Sequence, residues 1–152
     1  MRVHVLEREQ LLPRPVKEAF AFFADAGNLE AITPPLLRFR IVAQEPARME
    51  AGTRLEYRLR IHGVPVRWRT LIAEWSPPHR FTDMQTSGPY AIWHHTHEFS
   101  GTGDGQTLMR DVVRYAIAGG PAGELAQRLI VRRDLDAIFD FRAKAIEPLL
   151  RR

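Results

Sequence analysis

Between Leu37 and Ile117 apolar residues recur at every second position, the period of strands with one buried face. Thr53, Leu55, Tyr57, Leu59 and Ile61 alternate strictly with Arg54, Glu56, Arg58 and Arg60, which makes this the clearest half-buried strand of the chain. Leu37, Phe39 and Ile41 alternate with Arg38 and Arg40 just before it. His62-Gly63 marks a tight hairpin, after which Val66, Trp68, Thr70 and Ile72 return on one face and Trp75 is expected to point outward. Two further strands, over 79–85 and 90–99, lead to a Gly-rich turn at 101–105 and a last strand over 107–117. A first strand over 2–11 precedes all of these, with Val3, Val5 and Glu7 on one face.

Helical spacing appears only at the two flanks. Val16, Ala19, Phe20 and Phe23 predict a short amphipathic helix over 15–24, opened by Pro15 in its first turn. Asn28 caps a second short helix that ends before Pro34-Pro35. After Pro121, a stripe of Leu125, Leu129, Leu135, Ile138, Phe139 and Ile146 predicts one long helix reaching about Glu147. Arg132 and Arg142 fall on or near that stripe and are expected to snorkel to its edge.

The order strand, two short helices, six strands, long helix implies an α+β fold: a curved antiparallel sheet of about seven strands gripping the terminal helix. One long helix and two short ones do not cover so broad a concave face, so a gap is expected between helix and sheet. Leaving ~300 Å³ of it dry and empty costs about 7 kcal/mol at ~24 cal/mol per Å³. That rivals the total stability of a domain, ~5–15 kcal/mol, so water, a ligand or inward-leaning side chains must fill it.

The 152 residues suit one domain, 1–152, and the hydrophobic fraction of 45% is that of a globular chain. No run approaches the ~20 apolar residues of a membrane span, and MRVHVLEREQ has no apolar leader segment, so a cytoplasmic location is expected. Zero cysteines exclude disulfides, thiolate catalysis and Cys-based zinc sites. The net charge of +4 raises the question of a polyanion partner. Of the 22 basic residues 20 are Arg, spread evenly along the chain, which reads as a solvated surface and not as a nucleic-acid site.

The candidate chemistry sits on two strands. Alternation puts Trp93, His95, His97 and Phe99 on one face, and Met109, Asp111, Val113, Tyr115 and Ile117 on one face of the next strand. Counting outward from the turn places Asp111 beside His95 or His97. A His–carboxylate pair on an apolar wall orients a ligand's polar group, serves as general acid or base, or simply satisfies itself. His94 is expected on the opposite, solvated face. Asp83 and Gln85 share a face with Phe81 and are candidates to enter the same interior, as are the aromatics Tyr57, Trp68, Trp93 and Tyr115, with Ile138 facing them from the helix. His95, His97 and Asp111 also have the spacing of a three-ligand metal site. Hydrogen bonding among themselves is the expected arrangement, and neither a metal nor another cofactor is expected. No Gly-rich phosphate loop is present.

The strings FTDMQ (81–85), GPYAIWHHTHEF (88–99), MRDVVRY (109–115) and LDAIFDFRAKAI (135–146) resemble the START-like, or SRPBCC, superfamily, in a bacterial ligand-binding, cyclase/dehydrase-like branch. The resemblance spans nearly the whole chain. It implies a helix-grip fold with a hydrophobic cavity under the C-terminal helix and an entrance near the short helices. It carries no catalytic residues that transfer to this chain. The function expected is therefore binding of a small hydrophobic molecule, aromatic, polyketide-like or lipid. A cofactor-independent cyclase, aromatase or dehydratase using His95, His97 or Asp111, and a protein-interaction module, are the alternatives. A monomer or weak homodimer is expected.

Overall fold

In the computed structural model, which describes residues 1–151, seven strands hydrogen-bond in one antiparallel sheet. They are β1 (His4–Leu12), β2 (Arg40–Glu45), β3 (Arg54–Ile61), β4 (Val64–Ser76), β5 (Arg80–Ser87), β6 (Ile92–Gly101) and β7 (Thr107–Ala116). The order across the sheet is β1-β7-β6-β5-β4-β3-β2, so each of the last six strands lies beside its sequence neighbours and β1 closes the far edge. Two short helices, α1 (Val16–Ala24) and α2 (Gly27–Ala31), and a 3₁₀ turn at Pro35–Leu37 link β1 to β2. The C-terminal segment runs helically through α3 (Gly120–Ala126), a π turn at Gln127–Val131, and α4 (Arg132–Leu150). The expected helix-grip α+β architecture is present. Arg152, the last residue of the expected domain, lies outside the described residues.

The β3–β4 hairpin turns on His62 and Gly63, both at positive φ (50° and 79°), the primed geometry that matches strand twist. Its tip reaches the helix, where His62 Nε2 lies 2.8 Å from Asp134 Oδ2. The register then follows the alternation: Tyr57 faces Trp68, His97 faces Asp111 and Asp83 faces His95.

Four expectations are corrected. In β1 the inward face is His4, Leu6, Arg8, Gln10 and Leu12, while Val3 and Val5 are exposed at 46% and 44%. The edge strand meets the polar flank of α4, so its long polar side chains supply the contacts: Arg8 reaches Asp140 and Asp136 at 2.7 and 2.9 Å, and Gln10 donates to Ala143 O at 2.7 Å. Trp75 turns inward, because the β4–β5 register slips between Ile72 and Glu74 and the bulge inverts the alternation beyond it. Its ring packs on Phe20 and Phe81 at 5.0 and 5.4 Å. Leu125 and Leu129 are exposed at 52% and 57%, since the wider π turn rotates the helix face and brings Gly123 and Gln127 inward instead. His94 is only partly exposed, with Nδ1 buried.

Apolar packing falls into three clusters. One joins α1 to the sheet through Phe20, Phe23, Phe81 and Phe99. A second joins α4 to β1 and β7 through Leu6, Val113, Tyr115, Leu135 and Phe139. The third holds Ala26, Leu55 and Ile72. Gly123 is where the helix start meets the end of β7 most closely: a Cβ there would lie 2.2 Å from the Ala118 carbonyl oxygen. Gly123→Ala is expected to destabilise the fold by about 1–3 kcal/mol, the range for forced overpacking, read as a lower urea midpoint at unchanged slope. An unchanged midpoint refutes this packing.

Candidate functional site

A cavity of about 940 Å³ lies among the three clusters, walled by members of each: Phe23 and Phe81, Leu135 and Phe139, Leu55 and Ile72. This is the upper range of small-molecule pockets, ~300–1,000 Å³. Leu36, 89% exposed, and His62 mark its rim.

Tyr57, Trp68, Phe81, Asp83, Trp93, His95, His97 and Ile138 of the expected residues line the cavity. Three others do not. Tyr115 is fully buried in the second cluster, with its hydroxyl 2.6 Å from Gln127 Oε1, because the π turn delivers Gln127 to it. Gln85 folds onto the backbone of Tyr90, donating to its carbonyl at 2.7 Å and accepting from its N–H at 3.0 Å, and so clamps the β5–β6 connection. Asp111 sits behind the imidazoles, buried on the far side from the cavity.

Five ionisable side chains form one cluster at the cavity wall. Phe81, His97 and His95 lie in a row as a ring stack, with centroids 3.9 Å apart between Phe81 and His97 and 3.7 Å between His97 and His95. The i, i+2 spacing on β6 places the two imidazoles on one face, and β5 and β7 bring a carboxylate to either side. His97 Nε2 lies 2.6 Å from Asp83 Oδ2, and His95 Nε2 lies 2.7 Å from Asp111 Oδ1. The remaining nitrogens complete a crossed pattern. His97 Nδ1 is 3.3 Å from Asp111 Oδ1 without hydrogen-bond geometry, and His95 Nδ1 is 3.8 Å from Asp83 Oδ2.

Arg142, expected at the edge, comes inward. Its guanidinium lies 3.4 Å from Asp111 Oδ1 and 5.3 and 5.4 Å from the ring centres of Phe23 and Phe139. A buried carboxylate shared by two imidazoles requires a further cation, and an Arg on the core stripe of the helix is the sequence signal for it.

The electrostatics separate the two imidazoles. Burial, and then the neighbouring charge of His97, push His95 down to about 4 against the pull of Asp111. His95 is therefore neutral at pH 7, and its bond to Asp111 assigns the proton to Nε2 and leaves Nδ1 as an acceptor. Burial also acts against a charge on His97, but the contacts to Asp111 and Asp83 outweigh it and raise the group. Burial would raise both carboxyls. Asp111 is nevertheless held well below the usual range by Arg142, the hydrogen bond of His95 and the adjacent His97, and Asp83 is lowered chiefly by its hydrogen bond to His97. Two carboxylates thus face Arg142 and an imidazole, His97, whose protonated form they favour. Asp83, His95 and His97 also present three donor atoms within 4.8 Å of one another. The third ligand of the spacing-based set was Asp111, and the structure puts Asp83 in that place.

Two outcomes follow from these charges. Arg142→Met leaves Asp111 buried without its cation and is expected to cost about 3–5 kcal/mol, measured by urea unfolding. For pH the signs oppose. His97 stabilises fully below 6.5, and this is lost as pH rises through its raised value. His95 binds a proton in the unfolded chain below 6.5 but not in the folded chain until about 4, so stability falls across that interval. Stability is expected to peak near pH 6.5 and to decline on the acid side by at most ~1.4 kcal/mol per pH unit. His95→Gln flattens the acid limb, and an acid limb identical in that variant refutes a neutral His95.

Comparison with known proteins accords with this fold. The family model for polyketide cyclase / dehydrase and lipid transport matches residues 3–150. No curated protein matches the chain. Among solved structures, TTHA0849 from Thermus thermophilus is 20% identical with a TM-score of 0.67, covering 94% of this chain and 97% of that one. A START superfamily protein from Mycobacterium smegmatis is 13% identical with a TM-score of 0.67, covering 96% and 99%. The Zhui aromatase/cyclase from a Streptomyces species is 12% identical with a TM-score of 0.69, covering 95% and 94%. At these identities the structural likeness speaks for the fold alone. With a match over nearly its full length, the chain belongs to the polyketide cyclase / dehydrase and lipid transport family.

Proposed function

We propose that this protein binds one small, mostly apolar molecule, aromatic, polyketide-like or lipid, in the cavity between the sheet and α4. The observation that carries this reading is a 940 Å³ space with predominantly hydrophobic walls and a buried polar cluster, Asp83, His95 and His97, on one of them. Apolar walls supply affinity and the cluster supplies orientation. Burying ~200–300 Å² of ligand at ~25 cal/mol per Å² gives about 5–7 kcal/mol before entropic losses, which corresponds to a Kd of roughly 10–200 μM at best unless polar contacts add to it. The Trp68 indole N–H, buried without a partner beside the cavity, is a donor for such a contact. The family and the aromatase/cyclase neighbour support the choice of ligand class.

A second reading rests on one feature, the neutral His95 backed by Asp111 with an unprotonated Nδ1. This arrangement suits proton transfer on a bound β-keto or β-hydroxy carbonyl compound, as cyclisation or dehydration requires.

Native mass spectrometry of protein purified from its own host is expected to show a co-purifying molecule, and anilinonaphthalene sulfonate is expected to bind saturably. Ile138→Trp projects an indole into the cavity and should weaken that binding at least tenfold while leaving the melting temperature within a few degrees. An empty protein that binds no apolar probe ends the binding reading. On a turned-over poly-β-ketone thioester, His95→Gln is expected to lower kcat by about 10²–10⁴. Unchanged turnover in that variant ends the catalytic reading.

A further inference from the structure

We propose that Asp83, His95 and His97 form a divalent transition-metal site at the wall of the cavity, with Asp111 as the group that orients both imidazoles. The proposal does not depend on what organic molecule occupies the cavity.

Its first support is the crossed arrangement of the four side chains. One nitrogen of each imidazole lies near the same atom, Asp111 Oδ1: His95 Nε2 is hydrogen-bonded to it at 2.7 Å, and His97 Nδ1 is 3.3 Å away without hydrogen-bond geometry. The other nitrogen of each lies near Asp83 Oδ2: His97 Nε2 is hydrogen-bonded at 2.6 Å, and His95 Nδ1 is 3.8 Å away. A carboxylate behind the ligating histidines that fixes tautomer and ring orientation is the recurrent outer shell of protein metal sites. Self-satisfaction of one His–Asp pair does not call for this doubled pattern, in which every ring nitrogen lies within 4 Å of one of two carboxylates and one nitrogen of each ring is left without a hydrogen bond to either.

The second support is metric. Ligands at about 2.0–2.2 Å in tetrahedral array lie about 3.4 Å from one another. The two distances to Asp83 bracket that value, so a sub-ångström withdrawal of the Asp83 carboxylate from His97 and an approach to His95 make the set. Asp83 retains 19% side-chain exposure and borders the cavity, and has room for this movement.

The third support is chemical. Two imidazoles and one carboxylate suit zinc, iron(II), cobalt(II) or nickel(II) and disfavour magnesium or calcium. With three protein ligands beside an open cavity, the remaining coordination position faces the space in which a ligand would sit, the plan of a catalytic and not of a structural site. The stacked rings, 24° from parallel, have to tilt for both lone pairs to meet one ion. Affinity is accordingly expected below that of a preformed site.

The test is titration of the chelator-stripped full chain with Co²⁺ and Zn²⁺. One Co²⁺ per chain is expected, with the visible ligand-field bands of a four- or five-coordinate ion, displaced by Zn²⁺. Asp83→Asn and His97→Gln should each weaken binding at least tenfold, and Asp111→Asn should weaken it about tenfold while shifting the bands. His4→Gln, which removes a His–carboxylate contact away from the cavity, should leave Co²⁺ binding unchanged. Circular dichroism of each variant separates loss of the site from loss of the fold, and His97→Gln stands in if Asp83→Asn does not fold. Absence of saturable Co²⁺ binding up to roughly millimolar concentration overturns the proposal. So does binding that survives both Asp83→Asn and His97→Gln, or that disappears with His4→Gln. Anilinonaphthalene sulfonate binding to the metal-free chain reports on the cavity separately, so failure of the metal site and failure of the ligand-binding reading give different results.

Discussion

A carboxylate buried at 3% exposure in the middle of a sheet is tolerable only if its charge is matched on the spot, and Asp111 sets that condition for this molecule. Its partners come from two directions. His95 and His97 reach it from the neighbouring strand β6, and Arg142 reaches it from α4. The helix is therefore held to the sheet by apolar packing at its two ends and by a charge contact between them. Because Arg142 is committed inward, Phe23 and Phe139 bracket it, one from the apolar cluster around α1 and one from that around β1–β7. The cavity lies among the clusters.

The same cluster gathers Asp83, His95 and His97 at one wall of the cavity, with Arg142 beside them. Groups of opposite charge lie within a few ångströms of one another there, so little field extends into the apolar walls. Of the two carboxylates of the cluster, Asp83 borders the open space and Asp111 does not. The opposite end of the cavity is closed differently, by the His62 turn against Asp134 and by the 3₁₀ turn at Pro35–Leu37. Those contacts are exposed, and exposed pairs of this kind contribute at most about 1 kcal/mol, so the rim is held far more weakly than the cluster.

Much of this was legible in the chain. Strict alternation in β3 and the reversal at His62-Gly63 determined the meander, since a period of two leaves each strand only one apolar face to bury. The surplus of strands over helices determined that a gap had to exist. Counting from the Gly-rich turn placed Asp111 beside His95 or His97, because an antiparallel register is set by its turn, and the structure pairs it with His97.

What the tertiary structure alone decided lies where the local period breaks or where a third element intrudes. The bulge in β4 turned Trp75 inward, and the π turn exposed Leu125 and Leu129 in favour of Gly123 and Gln127. A one-residue slip inverts a face without changing the composition of the segment. The inward turn of Arg142 and the placement of Asp83 opposite the imidazoles depended on elements distant in sequence arriving at one point. Periodicity reports which face of an element is apolar, and it carries no information about which charge on another element that face will meet.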